Sequence, residues 1–365
     1  MAKKKILIVG KLPPPFIGPA IATNIILNSE LKNSYELLHV NTAVNKTVEE
    51  FGKGKWDKVG KNIAIYKKLF HLLRRKNPGL ILIPISQTTL GFLKDSVFIL
   101  LASLFSSKIL LQLRGSNFKN WMKSANIFTR TFVRFCFNRS QGMIVLGNNL
   151  KHLFEEYYPL EKIHVIPNGC DIFIPEPNQQ FDKIQLLYFA NFLPAKGIKE
   201  VLQALLLLEQ EGINNFELTA VGAWDNDIYK KECMDLLKHG EVSATFHEPM
   251  SGTTKWQTFA NADIFLFTPN KPEGHPWVIV EALSAGLPII SSDQGAIVES
   301  VLDGKNGFIV DPTHIKNIAE ALRLLLTSSE ERNEFGKNSK AQYLNKFTER
   351  QMVENFTRVF ENVLV

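Results

Sequence analysis

The sequence predicts an α/β protein built from two doubly wound domains in tandem, and three observations carry that expectation. Short apolar runs of four to eight residues alternate with longer amphipathic stretches from one end to the other. The runs are continuously apolar instead of alternating, which is the pattern of parallel strands covered on both faces. At 365 residues, 45% hydrophobic and 21% charged, the chain is ordinary for a globular protein and long enough for two domains that each bury a core.

The candidate strands of the first half are KILIVG (5–10), ELLHV (36–40), LILIPI (80–85), KILLQL (108–113), GMIVLG (142–147) and IHVIPNG (163–169). The second half repeats the rhythm with IQLLYFA (184–190), FELTAVG (216–222), ATFHEP (244–249), DIFLFTP beginning at Asp263, and LPIISS (287–292). DIFIPEPNQQFD, rich in Pro, Gln and Asn, marks the joint at 171–182. The expected division is therefore a first domain over 1–171 and a second over 182–348. The last helix, 349–365, has no strand after it and is expected to pack back on the first domain. Ligands of open parallel sheets bind beyond the carboxyl ends of the strands. The loops to inspect are accordingly 11–19, 114–117, 191–197, 222–225 and 269–277.

Charge is distributed unevenly. Residues 1–170 carry 25 Lys and Arg against 9 Asp and Glu, a net +16, while the remainder carries 17 against 27, a net −10. The basic half should seek an acidic partner: nucleic acid, anionic lipid or a phosphorylated acceptor. Cys136, Cys170 and Cys233 form neither a metal-like spacing nor an even-numbered framework, which fits a reducing, cytoplasmic setting. MAKKKILIVG runs straight into a strand without the apolar segment and cleavage site of a signal peptide. The apolar stretch 96–113 is interrupted by Lys108 and does not read as a membrane span.

EGHPWVIVEALSAGLP places two carboxylates, Glu273 and Glu281, around the start of a helix. Pro276 suits a first helical position, and Gly286 with Pro288 stops the helix, giving a span of 276–285. Val278, Ile279, Val280, Ala282 and Leu283 cover most of its circumference, leaving a narrow stripe of Trp277, Glu281 and Ser284. The helix should be largely buried, with Glu273 in the loop before it. Free N–H groups at that end attract anions, and Gly274 leaves room for close approach. A solvated Glu stripe is the plainer alternative.

KLPPPFIGPA follows the first strand without GxGxxG, which argues against a nicotinamide enzyme. NFLPAKGIKE opens a helix with Lys196 and Gly197 at its start, a seat for a diphosphate or a simple turn. The eight histidines contain no HExxH and suggest no metal site.

These loops, taken together, resemble the retaining glycosyltransferases of family 4. Glu273 to Glu281 matches that family's E-x7-E motif. VIPNGCD (165–171), FANFLPAKG (189–197), ADIFLFTP, EALSAGLPII and DGKNGFIVDP (303–312) fall in the family's order, so the resemblance spans almost the whole chain. It implies the GT-B fold, two facing Rossmann-like doubly wound domains with an interdomain cleft. It also implies that Glu281 bonds the ribose of a nucleotide diphosphate sugar, that Glu273 meets the sugar hydroxyls, and that Lys196 neutralises the departing diphosphate. The free N–H groups of the helix start that Pro276, Trp277 and Val278 form would assist Lys196, and Gly18, Asn191, Gly222 and His275 would complete the donor site. No cofactor and no essential metal are expected, since Lys196 and the helix end take the cation's place. Three positions depart from the family pattern. Asn191 stands where an Arg is usual, Gly18-Pro19 replaces two glycines, and Arg114 precedes Gly115 where many relatives have His. Arg114 could hold phosphate or acceptor, or pair with a local carboxylate.

Within 119–139, Lys119, Lys123, Arg130 and Arg134 lie opposite Trp121, Phe128, Phe132 and Phe135 on one helical wheel. Such a segment can rest on anionic lipid, or pack its aromatic face on the sheet and solvate its charges. No RNA-binding motif accompanies it, and no nucleic acid partner is expected. The resulting expectation is a cytoplasmic enzyme, peripheral at the inner face of the membrane. It would move a hexose or N-acetylhexosamine to a lipid-linked or oligosaccharide acceptor of a bacterial surface polysaccharide. A nucleotide-sugar 2-epimerase of the same build and a non-enzymatic sugar-binding protein are the alternatives.

Overall fold

The computed structural model describes residues 3–14, 17–43, 55–238 and 240–364; Pro15 and Phe16 of the first loop lie outside them. The chain forms two compact units, Met1–Cys170 together with Glu349–Val365, and Asp171–Thr348.

In the first unit, β1 (Lys4–Gly10), β2 (Tyr35–Asn41), β3 (Leu80–Ile85), β4 (Lys108–Leu113), β5 (Gly142–Val145) and β6 (Ile163–Val165) form one sheet. Its order is β2-β1-β3-β4-β5-β6, with every pair parallel. The helices are α1 (Gly18–Asn28), α2 (Leu31–Ser34), α3 (Lys55–Lys76), α4 (Thr89–Ser103), α5 (Phe118–Ser124) and α6 (Ile127–Phe137). β3 is a run of Leu and Ile because it lies inside the sheet and is covered on both faces; Leu80, Ile81, Leu82 and Ile83 are all buried. The terminal helix, Glu349–Leu364, completes this unit's core: Met352, Phe356, Val359 and Phe360 cluster with Ile6, Ile8, Ile26, Tyr35 and Leu82.

The second unit repeats the plan with β7 (Ile184–Phe189), β8 (Phe216–Val221), β9 (Ala244–His247), β10 (Ile264–Phe267), β11 (Ile289–Ser292) and β12 (Gly307–Val310). Their order is β12-β11-β10-β7-β8-β9, again all parallel. Its helices are α7 (Ile198–Gln210), α8 (Asp227–Leu237), α9 (Gly252–Ala260), α10 (Trp277–Ser284), α11 (Ile297–Ser300), α12 (Ile315–Thr327) and α13 (Ser329–Lys346), and the terminal helix is α14. α7 buries Ile198, Val201, Leu202, Leu205 and Leu208, a stripe at three- and four-residue spacing. Each such side chain stabilises the unit by about 1.5–3 kcal/mol.

Three local features differ from the sequence expectation. β12 is a strand that the apolar-run criterion passes over, because GFIV is only four residues long beside polar DGKN. Segment 119–139 is two helices and not one. Ala125 is extended, and Asn126 caps α6 by accepting from the Thr129 amide at 2.8 Å. A single wheel therefore misplaces its rings: Trp121 is buried, whereas Phe128 is 82% exposed. Finally, α10 begins at Trp277, with Pro276 as the extended residue before it (ψ 131°).

Candidate active site

The carboxyl edge of the second sheet gathers most of the residues singled out by sequence. β7 ends at Phe189, and the chain turns through Asn191 to a single 3-10 turn, Pro194–Lys196. Gly197 follows with φ 84°, a left-handed conformation that glycine takes without strain. A Cβ there would lie 2.1 Å from the Thr268 carbonyl oxygen, so the glycine also permits the close approach of two loops. The Asn270 amide donates to the Ala195 carbonyl at 3.1 Å, and the Tyr188 hydroxyl to the Lys196 carbonyl at 3.1 Å. The backbone around Lys196 is thus fixed at its own carbonyl and at that of Ala195.

Its ammonium donates to Glu273 Oε1, joining two residues 77 positions apart. Glu273 sits in the loop between β10 and α10. That loop is fixed from below, since the Ala296 amide donates to the Gly274 carbonyl at 2.7 Å. Gly295 (φ 60°) lets the backbones meet, because a Cβ there would lie 2.1 Å from the Glu273 carbonyl oxygen.

Glu281, in the second turn of α10, is buried, as is Ser284. The polar stripe of that helix therefore faces protein, and a solvated stripe is excluded. α13 covers it on one side, where Lys340 Nζ donates to the Ser284 carbonyl at 2.6 Å. Glu281 Oε1 accepts from Lys255 Nζ of α9 at 2.5 Å, while Glu281 Oε2 is buried without a hydrogen-bond partner. Lys255 carries no motif and is missed by sequence reasoning. Its only signal is a lone basic residue inside the aromatic stretch KWQTF.

The remaining assignments fall as follows. Asn191 is exposed, and its Oδ1 accepts from the Ala223 amide at 3.3 Å, tying the loop after β7 to that after β8. Gly222 lies where a Cβ would meet the Ala190 carbonyl oxygen at 2.1 Å. Trp277 and Val278 form the first turn of α10 after Pro276, whose own side chain makes no capping hydrogen bond. The His275 imidazole is turned inward. Its Nε2 pairs with Ser300 Oγ at 2.8 Å, its ring lies 5.0 Å from that of Phe347, and burial pulls it down to about 3. Gly18 and Arg114 belong to the first unit. Gly18 opens α1, with Pro19 in its first turn. Arg114 follows β4 and donates to Asn168 Oδ1 at 3.4 Å, and burial lowers it to about 10. Among the described residues, no three His, Cys, Asp or Glu side chains gather as metal ligands.

Chemically, the second unit offers a lysine and a carboxylate in contact in the loop that leads into a helix start, and a second lysine–carboxylate pair with one buried oxygen that has no hydrogen-bond partner. Cations and amide dipoles suit a diphosphate, and carboxylate oxygens suit the hydroxyls of a sugar.

Residues 171–342 match the family model described as Glycosyl transferases group 1. The chain is 25% identical over 323 residues to the lipopolysaccharide 1,2-N-acetylglucosaminetransferase of Salmonella typhimurium, covering 82% of this chain and 81% of that protein. A capsular polysaccharide biosynthesis glycosyltransferase of Staphylococcus aureus, CapM, is 26% identical over half of this chain and 47% of its own length. Among solved structures, sucrose-phosphate synthase from Thermosynechococcus elongatus superposes with a TM-score of 0.79 at 13% identity, covering 99% of both chains. Anabaena Alr3699/HepE, in complex with UDP and glucose, gives 0.75 at 16% identity, covering 98% of this chain and all of that one. The architecture is therefore the two-domain α/β GT-B fold. The family match over residues 171–342 and the relatives' names support a glycosyltransferase built on that fold.

Proposed function

We propose that this protein is a retaining glycosyltransferase that moves a hexose or N-acetylhexosamine from a nucleotide diphosphate sugar to a lipid-linked or oligosaccharide acceptor of a bacterial surface polysaccharide. The observation that carries the reading is the pairing of Lys196 with Glu273 at the start of α10. In the reaction the bond between the sugar's anomeric carbon and the diphosphate oxygen breaks, and its electron pair leaves with the diphosphate. Lys196 and the amides of Trp277 and Val278 meet that developing charge. Glu273, released from Lys196 as the diphosphate takes the cation, accepts from sugar hydroxyls and offsets positive charge at the anomeric carbon. Glu281 Oε2 accepts from the ribose. The acceptor hydroxyl forms the new bond, and its proton passes to the departing phosphate oxygen.

The donor class is supported by the UDP and glucose held by the Anabaena neighbour. The acceptor class is supported by the names of relatives, among them a diphospho-undecaprenol N-acetylgalactosaminyltransferase of Campylobacter jejuni, 27% identical over 60% of this chain. The reading needs no metal. For the acceptor we assign the basic first unit to an anionic membrane surface. Exposed Ile127, Phe128 and Phe135 of α6 stand among exposed Lys123, Arg130 and Arg134, apolar wedges within a cationic collar. Among the described residues no helix is long and apolar enough to cross a membrane.

The test is incubation with labelled uridine, guanosine and adenosine diphosphate sugars, with and without a membrane extract as acceptor. Transfer that requires the extract and keeps the anomeric configuration supports the proposal. An epimerised sugar formed without any acceptor overturns it. Sedimentation with anionic vesicles that is lost at high salt and absent for Phe128→Glu supports the membrane assignment.

A further inference from the structure

Lys255 has no part in the mechanism above, yet its surroundings are those of a built site. Its side chain is 17% exposed and that of Glu281 is 10% exposed. The ammonium lies 4.8 Å from the ring centre of Trp256, 5.1 Å from that of Phe189 and 6.0 Å from that of Phe259. A lysine so placed has exchanged water for one carboxylate and three aromatic faces, a setting that fixes the ammonium in place. Its stem emerges from α9, whereas Glu281 stands on α10, so the pair ties together two helices that flank the edge of the sheet. The other oxygen, Glu281 Oε2, has no donor although it is buried. A buried carboxylate oxygen left in that state is costly, and a ligand hydroxyl would relieve the cost.

We propose that Lys255 is a positioning residue of the donor site: by occupying Oε1 it locks the Glu281 carboxylate so that Oε2 alone is presented to a ribose hydroxyl of the nucleotide. The inference rests on the assignment of Glu281 to the ribose, and it gives that assignment a direction. Oε1 is closed to the ligand by the ammonium. The site should therefore discriminate sharply between a ribose and a sugar that lacks hydroxyls, because only the former fills Oε2. Without Lys255 the carboxylate can rotate, and the discrimination weakens even where the fold is intact.

The experiment is calorimetric titration of the wild type, Lys255→Met, Lys255→Arg and Glu281→Gln with UDP, GDP and ADP and their 2′,3′-dideoxy counterparts. Met keeps the length of the stem over the three rings and removes only the cation. For the nucleotide that binds the wild type best, the ribose form is expected to bind about tenfold more tightly than the dideoxy form. That ratio should fall to about threefold or less in Lys255→Met and return in Lys255→Arg. A uniform loss of affinity for both forms, with the ratio unchanged, is what a merely structural role gives and overturns the inference. If Glu281→Gln erases the ratio while Lys255→Met keeps it, the positioning role fails and the ribose assignment stands. If Glu281→Gln keeps the ratio, or no nucleotide binds the wild type, the ribose assignment itself fails. Circular dichroism is run on each variant, with Lys255→Gln as a second substitution. Loss of the fold in both neutral variants identifies Lys255 as a structural residue and overturns the inference as well.

Discussion

The carboxyl edges of the two sheets are built from the same kind of strand ends but handle charge differently. In the second unit the carboxylates Glu273 and Glu281 each face a lysine. In the first unit the charged groups at the edge take neutral partners: Asp95 accepts from the Ser86 amide at 2.7 Å, and Arg114 donates to Asn168. The consequence for the first unit is visible in its titration. Burial pushes Asp95 up to about 6, despite the Ser86 bonds and the nearby Lys11, and pulls Arg114 down to about 10. Opposed charges held ready for exchange suit a site that must receive a charged ligand. Single charges drawn partly out of water beside neutral partners instead shift toward their uncharged forms.

The comparison breaks most readily at Glu273. Glu273→Ala should lower kcat by about 10²–10³-fold, as expected for removal of a group that stabilises charge in the transition state, and steady-state transfer of labelled sugar reads it. A drop in apparent affinity with kcat unchanged would place Glu273 in binding alone. Next in size is Gly197→Ala, which combines a positive φ with a contact against the Thr268 carbonyl oxygen. It should destabilise the second unit by about 2–4 kcal/mol in urea unfolding.

Two pH responses of opposite sign sharpen the contrast further. His275 is held neutral, its value lowered from the usual 6.5 to about 3, so the unfolded chain takes up the proton first. Stability from this group is whole above 6.5 and lost as pH falls toward 3, amounting to about 2 kcal/mol by pH 5. His275→Gln should flatten that limb of the urea-midpoint profile. Asp95 runs the other way: raised from 3.8 to about 6, its contribution is whole below 3.8 and lost as pH rises through 6. Asp95→Asn should therefore gain relative to the wild type as pH rises from about 4 to about 6. This is the smallest effect of the four, because the group is only half-buried.

The fold was largely legible because parallel strands covered on both faces leave continuous apolar runs such as LILIPI and IQLLYF. What escaped was short or local. GFIV has too few apolar residues to stand out, and the break at Ala125 depends on one extended residue and one Asn cap. At the site, Lys196 and Glu273 could be read from loops that follow strands, and the structure brings them into contact. Lys255 could not, since its partner lies 26 residues away on another helix and neither spacing nor composition marks the pair. His275 illustrates the converse limit. A polar residue between two candidate site residues reads as facing the ligand, yet its ring belongs to the interior with Ser300 and Phe347.

α14 closes the core of the first unit, where Phe360 meets Tyr35 edge-on with ring centres 5.7 Å apart. During translation the second unit, Asp171–Thr348, emerges from the ribosome whole, while its predecessor still lacks a wall. The side chains of Ile6, Ile8 and Leu82 thus lack the apolar cover of α14 until a segment encoded after the whole second unit has been made. Maturation of this lobe in this way waits on its neighbour's synthesis, and a truncation after Thr348 would strike the first unit and not the one beside the cut.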